Sequence, residues 1–513
     1  MSSALLTAML IAGPAARPDL PSASELAAAI RAGELSSVAL VEAQLARVDA
    51  YNPGLNAIVT LDAAGARARA RQADEALARG ELWGPLHGVP VTVKDSFATA
   101  GMRTTAGYSP LSAWVPDADA TVVALLREAG AIVLGKTNLP TLAMDMQTTN
   151  PVFGRTNNAW DPERTAGGSS GGCSVAVATG MSALSVGSDL AGSLRVPTAF
   201  NGVYGFKPSH HLISLHGHVP PIPGEIDGMT WNMAVAGPIA RTADDLALAF
   251  DVLARPHATD RTVLPTWSAE PASPPVDSLR VAWTDTLPGV PVSREIKDVM
   301  AATVERLARA GAQVSRAAPA ALDPVSIWET WGALVGAQGG YERSNLSRRL
   351  GKLFVGRQVE HLPMHRHILD PITVPSYMQS LGRQDRAAQA MDALFDAHDV
   401  WIVPVSSTTA FPHLAPSRMF GAFPVYDEPL MVDGQPVPYF VATQSWTTLF
   451  NVTGNPVVSM PVGLGSSGLP VGVQVVGRRY DDRRLLQVVR TLSRTLQSEV
   501  GGAPSGAESG HRP

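Results

Sequence analysis

The chain has 513 residues, 45% hydrophobic and 17% charged, with a formal charge of 40 − 45 = −5. That balance describes a globular protein with a large core and excludes a disordered one. No basic run stands out, so a nucleic-acid partner has no electrostatic support. Cys173 is the single cysteine, which excludes internal disulfides and Cys-paired zinc sites and points to a reducing, cytoplasmic location.

Residues 1–20 read as an N-terminal extension. Met1–Gly13 is apolar but short, and no Lys or Arg precedes Arg17, so a secretory n-region is missing. No later run reaches the ~18–20 apolar residues of a membrane span, and no membrane partner is expected. Ser22 or Ser24 caps a helix over Glu25–Arg31. Apolar positions keep helical spacing over Leu40–Asp49, and an Ala/Arg/Glu-rich helix spans about Ala63–Arg79.

From Gly88 the pattern changes. Val89, Val91 and Val93 alternate with Pro90, Thr92 and Lys94, a strand that carries Lys94 at its end, opposite the valines. Asp117 and Asp119 are candidate caps for a helix that runs to Ala129 and stops at Gly130. Ala131–Leu134 is the next strand, and a strand–helix–strand unit requires a sheet that is at least partly parallel.

Cys173–Thr179 reads as a tightly packed helix of small and β-branched residues behind a glycine loop. Ser182–Gly187 is a short buried strand that delivers Asp189–Ser193 at its C-terminal end, where open α/β sheets bind ligands. Arg255–Ser278 is a Pro/Ser/Thr-rich crossing. Then come strand Leu279–Trp283, helix Ile296–Ala310 and strand Ala312–Val314. A mostly helical, lid-like portion follows at about 325–400, and Trp401–Val405, Asn451–Pro461 and Gly472–Gly477 add strands. A Gly/Ser/Pro-rich tail over 499–513 is expected to be disordered. The fold class is α/β: a large mixed, mostly parallel central sheet between helices, in one domain over 21–498.

One constellation carries chemistry. Gly167-Gly168-Ser169-Ser170-Gly171-Gly172 is followed 24 positions after Ser169 by Ser193, and Lys94 lies 75 positions before Ser169. Alone, the glycine–serine box admits a flexible turn or a phosphate cradle, although it lacks the lysine and Ser/Thr of a Walker A loop. The second loop and the lysine favour catalysis. A serine hydroxyl is a poor nucleophile until a base takes its proton. Lysine is such a base only when neutral, and burial favours that form.

These residues, with the Asp-x-x-x-Ser-x-Arg-x-Pro element at Asp189–Pro197, closely resemble the amidase signature family of Ser–cisSer–Lys amidohydrolases. Further matches are Thr149–Asn157, Gly205–Pro208, Gly237–Arg241 and Gly468–Gln474, so the resemblance spans about Leu20–Ser498. It implies Ser193 as the acylated nucleophile, Ser169 as a proton relay after a cis peptide, and Lys94 as the base. Leu190, Ala191, Gly192 and Ser193 are expected to present backbone N–H groups to the oxyanion. Ala191 stands where the family usually has glycine, which is harmless if the backbone there needs no positive φ. Ser170, Ser188, Asp189 and Arg195 are expected to support the reacting groups, with Asp189–Arg195 read as a structural ion pair.

Met144, Met146, Gln147 and Trp231 are candidates for the substrate pocket. Asp95 is read as structural and Cys173 as a packing residue. His210, His211, His216 and His218 lack a carboxylate or cysteine at ligand spacing, so no metal and no cofactor are expected. The implied activity is hydrolysis of non-peptide amide C–N bonds in small molecules. Esters should follow because alkoxide leaves more easily, and carbamates (urethanes) remain open. The state expected is monomer or homodimer. The alternative is the glutamine-hydrolysing subunit of a tRNA-dependent amidotransferase; a third reading is a non-enzymatic binding protein on the same fold.

Overall fold

The computed structural model describes residues 20–501 apart from 224–231, 266–270, 341–342, 360–361 and 421. The N-terminal extension up to residue 19, Trp231 and the tail beyond 501 therefore lie outside the described residues. Ser22 starts the first helix as anticipated. Its hydroxyl accepts the Glu25 N–H at 3.1 Å while the Glu25 carboxylate accepts the Ser22 N–H at 2.7 Å, a reciprocal cap.

The helices are α1 Ala23–Arg31, α2 Ser37–Leu55, α3 Ala63–Ala78, α4 Thr121–Glu128, α5 Gly171–Ala178, α6 Val196–Asn201 and α7 Ala243–Leu253. They continue as α8 Arg294–Arg309, α9 Pro324–Gln338, α10 Asn345–Val359, α11 Val374–Asp392, α12 Tyr439–Thr453 and α13 Asp482–Gly501. The central strands are β1 Ile58–Leu61, β2 Pro90–Lys94, β3 Ile132–Thr137, β4 Leu184–Asp189, β5 Tyr204–Lys207 and β6 Val235–Ala240. After them come β7 Arg280–Trp283, β8 Gln313–Arg316, β9 Val400–Pro404, β10 Val457–Leu464 and β11 Pro470–Val476. They form one 11-stranded sheet in the order β1-β3-β2-β4-β6-β5-β10-β11-β9-β7-β8, with helices packed against it.

The sheet is mixed as expected, but it is not mostly parallel. Four of its ladders are parallel and six antiparallel. The strand–helix–strand units lie toward the two ends of the order, and the β6–β5–β10–β11 block between them pairs antiparallel throughout. Two local expectations also change. Asp119 does not cap α4: its carboxylate accepts the Ala100 N–H at 2.7 Å and pairs with Arg127 at 3.3 Å, and the cap residue is Ala120. Asn451 belongs to α12, not to a strand. That helix is buried at nearly every position and ends at Gly454, φ 78°, so it shows no amphipathic period.

The sheet positions the site by register. β2 and β4 are parallel neighbours, with Thr92 opposite Ser185 and Val93 opposite Val186, so Lys94 and Ser188 emerge together at the same end. α5 opens on two glycines and packs close to its neighbours there. A Cβ on Gly172 would stand 2.4 Å from Asn138 N and 2.6 Å from Ala57 O, both rigid backbone atoms. Gly172→Ala is therefore expected to destabilise the fold by about 1–3 kcal/mol through overpacking. Urea unfolding measures this; an unchanged midpoint would contradict so close an approach.

Candidate active site

Lys94 is fully buried at the end of β2. Its Nζ lies 2.7 Å from Ser169 Oγ and 3.0 Å from Ser188 Oγ. No carboxylate is within ion-pair distance of it among the described residues. Burial therefore dominates and pulls the ammonium down to about 7, against smaller upward effects of Cys173 and Asp189. Two other lysines are equally buried and differ in what they face. Lys136 Nζ donates to Thr99 and Thr104 hydroxyls at 2.9 Å each and to Phe97 O, with Asp95 at 3.9 Å. Lys207 Nζ donates to Pro208 O at 2.9 Å.

Ser169 follows a cis Gly168–Ser169 peptide. Ser170 holds this box to the next loop: its N–H donates to Ser193 O at 3.3 Å and its hydroxyl to Ser188 O at 3.2 Å. Ser193 lies between β4 and α6 and is buried, with 5% of its surface exposed. The loop around it is fastened by Asp189 and Arg195, both at 0% side-chain exposure and 2.8 Å apart. Burial alone would raise Asp189, but the Arg195 charge and the donors around it hold its carboxyl well below the usual range. Arg195 also reaches Thr447 O and Gln474 Oε1, each at 2.8 Å, and Asn451 Oδ1 at 2.6 Å.

The four expected oxyanion donors do not all remain available. Gly192 N–H already donates to Asp189 Oδ1 at 2.8 Å, so Gly192 is corrected to a residue of the loop clamp. Its φ of 120° and the Thr447 side chain, 2.5 Å from where a Cβ would be, demand glycine there. Ala191 is not among the positive-φ residues, so its methyl group is accommodated. The Leu190 carbonyl accepts Trp331 Nε1–H at 2.9 Å. In a trans peptide the N–H points opposite the C=O, so Trp331 of α9 aims the Ala191 N–H.

The family follows from these residues and their surroundings together. The amidase family model matches residues 39–486. The chain belongs to the amidase family. Similar family members include an acylamidase of Rhodococcus erythropolis, 33% identical over 475 residues, which cover 91% of this chain and 93% of the relative. The A component of the glutamyl-tRNA(Gln) amidotransferase of Acidothermus cellulolyticus is 32% identical over 504 residues, covering 93% and 95%. Among solved structures, 6-aminohexanoate cyclic dimer hydrolase in complex with substrate gives a TM-score of 0.74 at 26% identity, over 93% of this chain and 97% of that one. A bacterial aryl acylamidase shares the fold at a TM-score of 0.77 and 24% identity, over 94% and 99%. As an amidase, the chain is an amidohydrolase acting on carbon–nitrogen bonds.

Around this amidase core the pocket candidates separate. Met144 packs near Trp114, Val219 and Ile222, whereas Met146 packs with Phe440 and Val196. The Gln147 amide is fully engaged, donating to Leu414 O and Tyr426 OH at 3.0 and 2.9 Å and accepting from Leu414 N–H at 3.0 Å. It braces a wall with both ends of its amide. Beside it, Asp145 accepts Tyr426 and Tyr439 hydroxyls at 2.6 and 2.8 Å, and burial pushes its carboxyl up to about 6.

Sequence reasoning missed Asp145, Trp331, Thr447 and Asn451 as site supports, and it placed His218 only among rejected metal ligands. None has a local motif that announces its role. Arg195→Met is expected to cost about 3–5 kcal/mol, because it leaves the Asp189 carboxylate buried without its counter-charge. Urea unfolding checks it; a loss below 1 kcal/mol would mean the pair does not hold the loop.

Proposed function

We propose that the chain is a serine hydrolase that cleaves small-molecule amides through an acyl-enzyme on Ser193, with Ser169 as proton relay and Lys94 as base. The observation that carries this reading is the 2.7 Å contact between Ser169 Oγ and a buried, readily neutral Lys94 amine. Neutral Lys94 accepts the Ser169 proton as Ser169 takes that of Ser193. Ser193 Oγ then attacks the carbonyl carbon. The tetrahedral oxyanion is met by the N–H groups of Leu190, Ala191 and Ser193, and the loss of one such donor costs roughly 2.7–4 kcal/mol of barrier. The Lys94 ammonium returns the proton through Ser169 to the departing nitrogen as the C–N bond breaks. Water hydrolyses the acyl-enzyme by the same relay. Esters are substrates of this mechanism because alkoxide is the easier leaving group, and carbamates present the same carbonyl.

A second reading has its own support, since the A components of amidotransferases match as well as the acylamidase does. Here the chain would release ammonia from glutamine inside a complex. The purified chain alone, assayed on anilides, aliphatic amides, glutamine, nitrophenyl esters and carbamates, separates the two. Activity confined to glutamine and dependent on a partner would favour the amidotransferase role.

Ser193→Ala is expected to form no acyl adduct by intact mass, and an adduct on that variant would refute the assignment. The acid limb of kcat/KM should fall near pH 7, with activity rising as pH increases, because the base works only after Lys94 loses its proton. A flat profile between pH 5 and 9, or normal turnover by Lys94→Ala, would remove the base. Ser169→Ala should lose amide hydrolysis by at least about tenfold more than ester hydrolysis, since amine departure needs the relayed proton. Parallel losses on an anilide and its ester would argue against relay to the leaving group.

A further inference from the structure

We propose that His218 is a positioning residue that fixes the direction of the Lys94–Ser188 hydrogen bond and so keeps the lysine lone pair free for Ser169. The inference rests on the reading of Lys94 as the base. His218 follows β5 in a loop, partly buried, with its ring edge-on to Phe97 at 4.9 Å. Its Nδ1 lies 3.1 Å from Pro220 O and its Nε2 2.9 Å from Ser188 Oγ.

The donors and acceptors then follow in order. A carbonyl oxygen only accepts, so Nδ1 carries the ring hydrogen. A neutral imidazole has one N–H, so Nε2 presents a lone pair. Burial first, and the neighbouring Lys94 second, keep this ring neutral, down to about 3. Ser188 must therefore donate its single hydroxyl hydrogen to His218, and what it offers Lys94, 3.0 Å away, is a lone pair. One Lys94 N–H fills that position. The lone pair of the neutral amine is left for the hydroxyl hydrogen of Ser169, at 2.7 Å.

Without an acceptor at His218, the Ser188 hydroxyl turns and donates to Lys94 itself. Two serines then compete for one lone pair. The base is occupied, and its neutral form is stabilised. The other charged or titratable groups facing Lys94 stay fixed: burial holds the Cys173 thiol up and uncharged, and Asp189 is paired with Arg195.

The test measures the second-order rate of Ser193 modification by a fluorophosphonate, as a function of pH, which needs no knowledge of the natural substrate. His218→Leu is expected to lower the plateau about tenfold, the scale of one hydrogen bond. Its acid limb should move by about half a unit toward lower pH, because a donor now stabilises the neutral amine. Ser188→Ala removes the competing hydroxyl together with the acceptor it offers Lys94, and its own rate is the baseline for the second comparison. In that background His218→Leu should cost less than about twofold.

If His218→Leu does not fold, His218→Asn takes its place, keeping a donor for Pro220 O on a side chain too short to put an acceptor at the Nε2 position. Equal losses in both backgrounds, or a lower plateau with an unmoved limb, overturn the proposal. Lys94→Ala reacting at the parent rate would instead overturn the base itself, so the two failures are distinguishable.

Discussion

A primary amine sealed from water with hydroxyl neighbours and no partner carboxylate is the constraint on which the candidate site depends. Desolvation of an ammonium is costly, and a nearby carboxylate would offset that cost and keep the charge. Lys94 faces Ser169 and Ser188, so its environment favours loss of the proton near neutrality. Lys136 shows the contrast on the neighbouring strand, since its Nζ has Asp95 at 3.9 Å and three further oxygen acceptors. Burial pulls Lys136 down as well, to about 8, and the Asp95 carboxylate offsets part of that fall.

The strongest charge pair is kept one step away from the chemistry. Asp189 takes two N–H groups of the loop, from Gly192 and Leu194, at 2.8 and 2.9 Å. Arg195 closes on the same carboxylate with two contacts, at 3.0 and 2.8 Å. The loop that carries Ser193 is thus wound around a buried ion pair, which fixes its shape without supplying a proton. A charge paired in this way is a poor acid or base but a stiff brace.

Legibility followed distance along the chain. Lys94, Ser169 and Ser193 could be singled out as candidates because each sits in a short segment whose glycines or strand alternation is visible locally, and the fold brings Lys94 and Ser169 to 2.7 Å. The helix starting at Ser22 could be read for the same reason. Strand direction could not: whether β4, β6 and β5 pair parallel or antiparallel depends on where the connections cross, and residue pattern is silent on that. The helix at Tyr439–Thr453 was missed because tertiary burial on all sides erases the periodicity that marks a surface helix. Gly192 was misassigned because spacing names a backbone N–H but not the direction it points. His218 carries its role in a tautomer, which only its neighbours Pro220 and Ser188 reveal.

The grip on Arg195 has a consequence for biosynthesis. Ser193 leaves the ribosome early, yet the groups that grip its neighbour, Thr447 O, Asn451 and Gln474, are translated more than 250 positions later. Gln474 is in turn anchored on Pro404 O at 2.7 Å. A nascent chain thus carries Ser193 without a rigid loop beneath it until the last strands dock, and only then is the proposed nucleophile held in place.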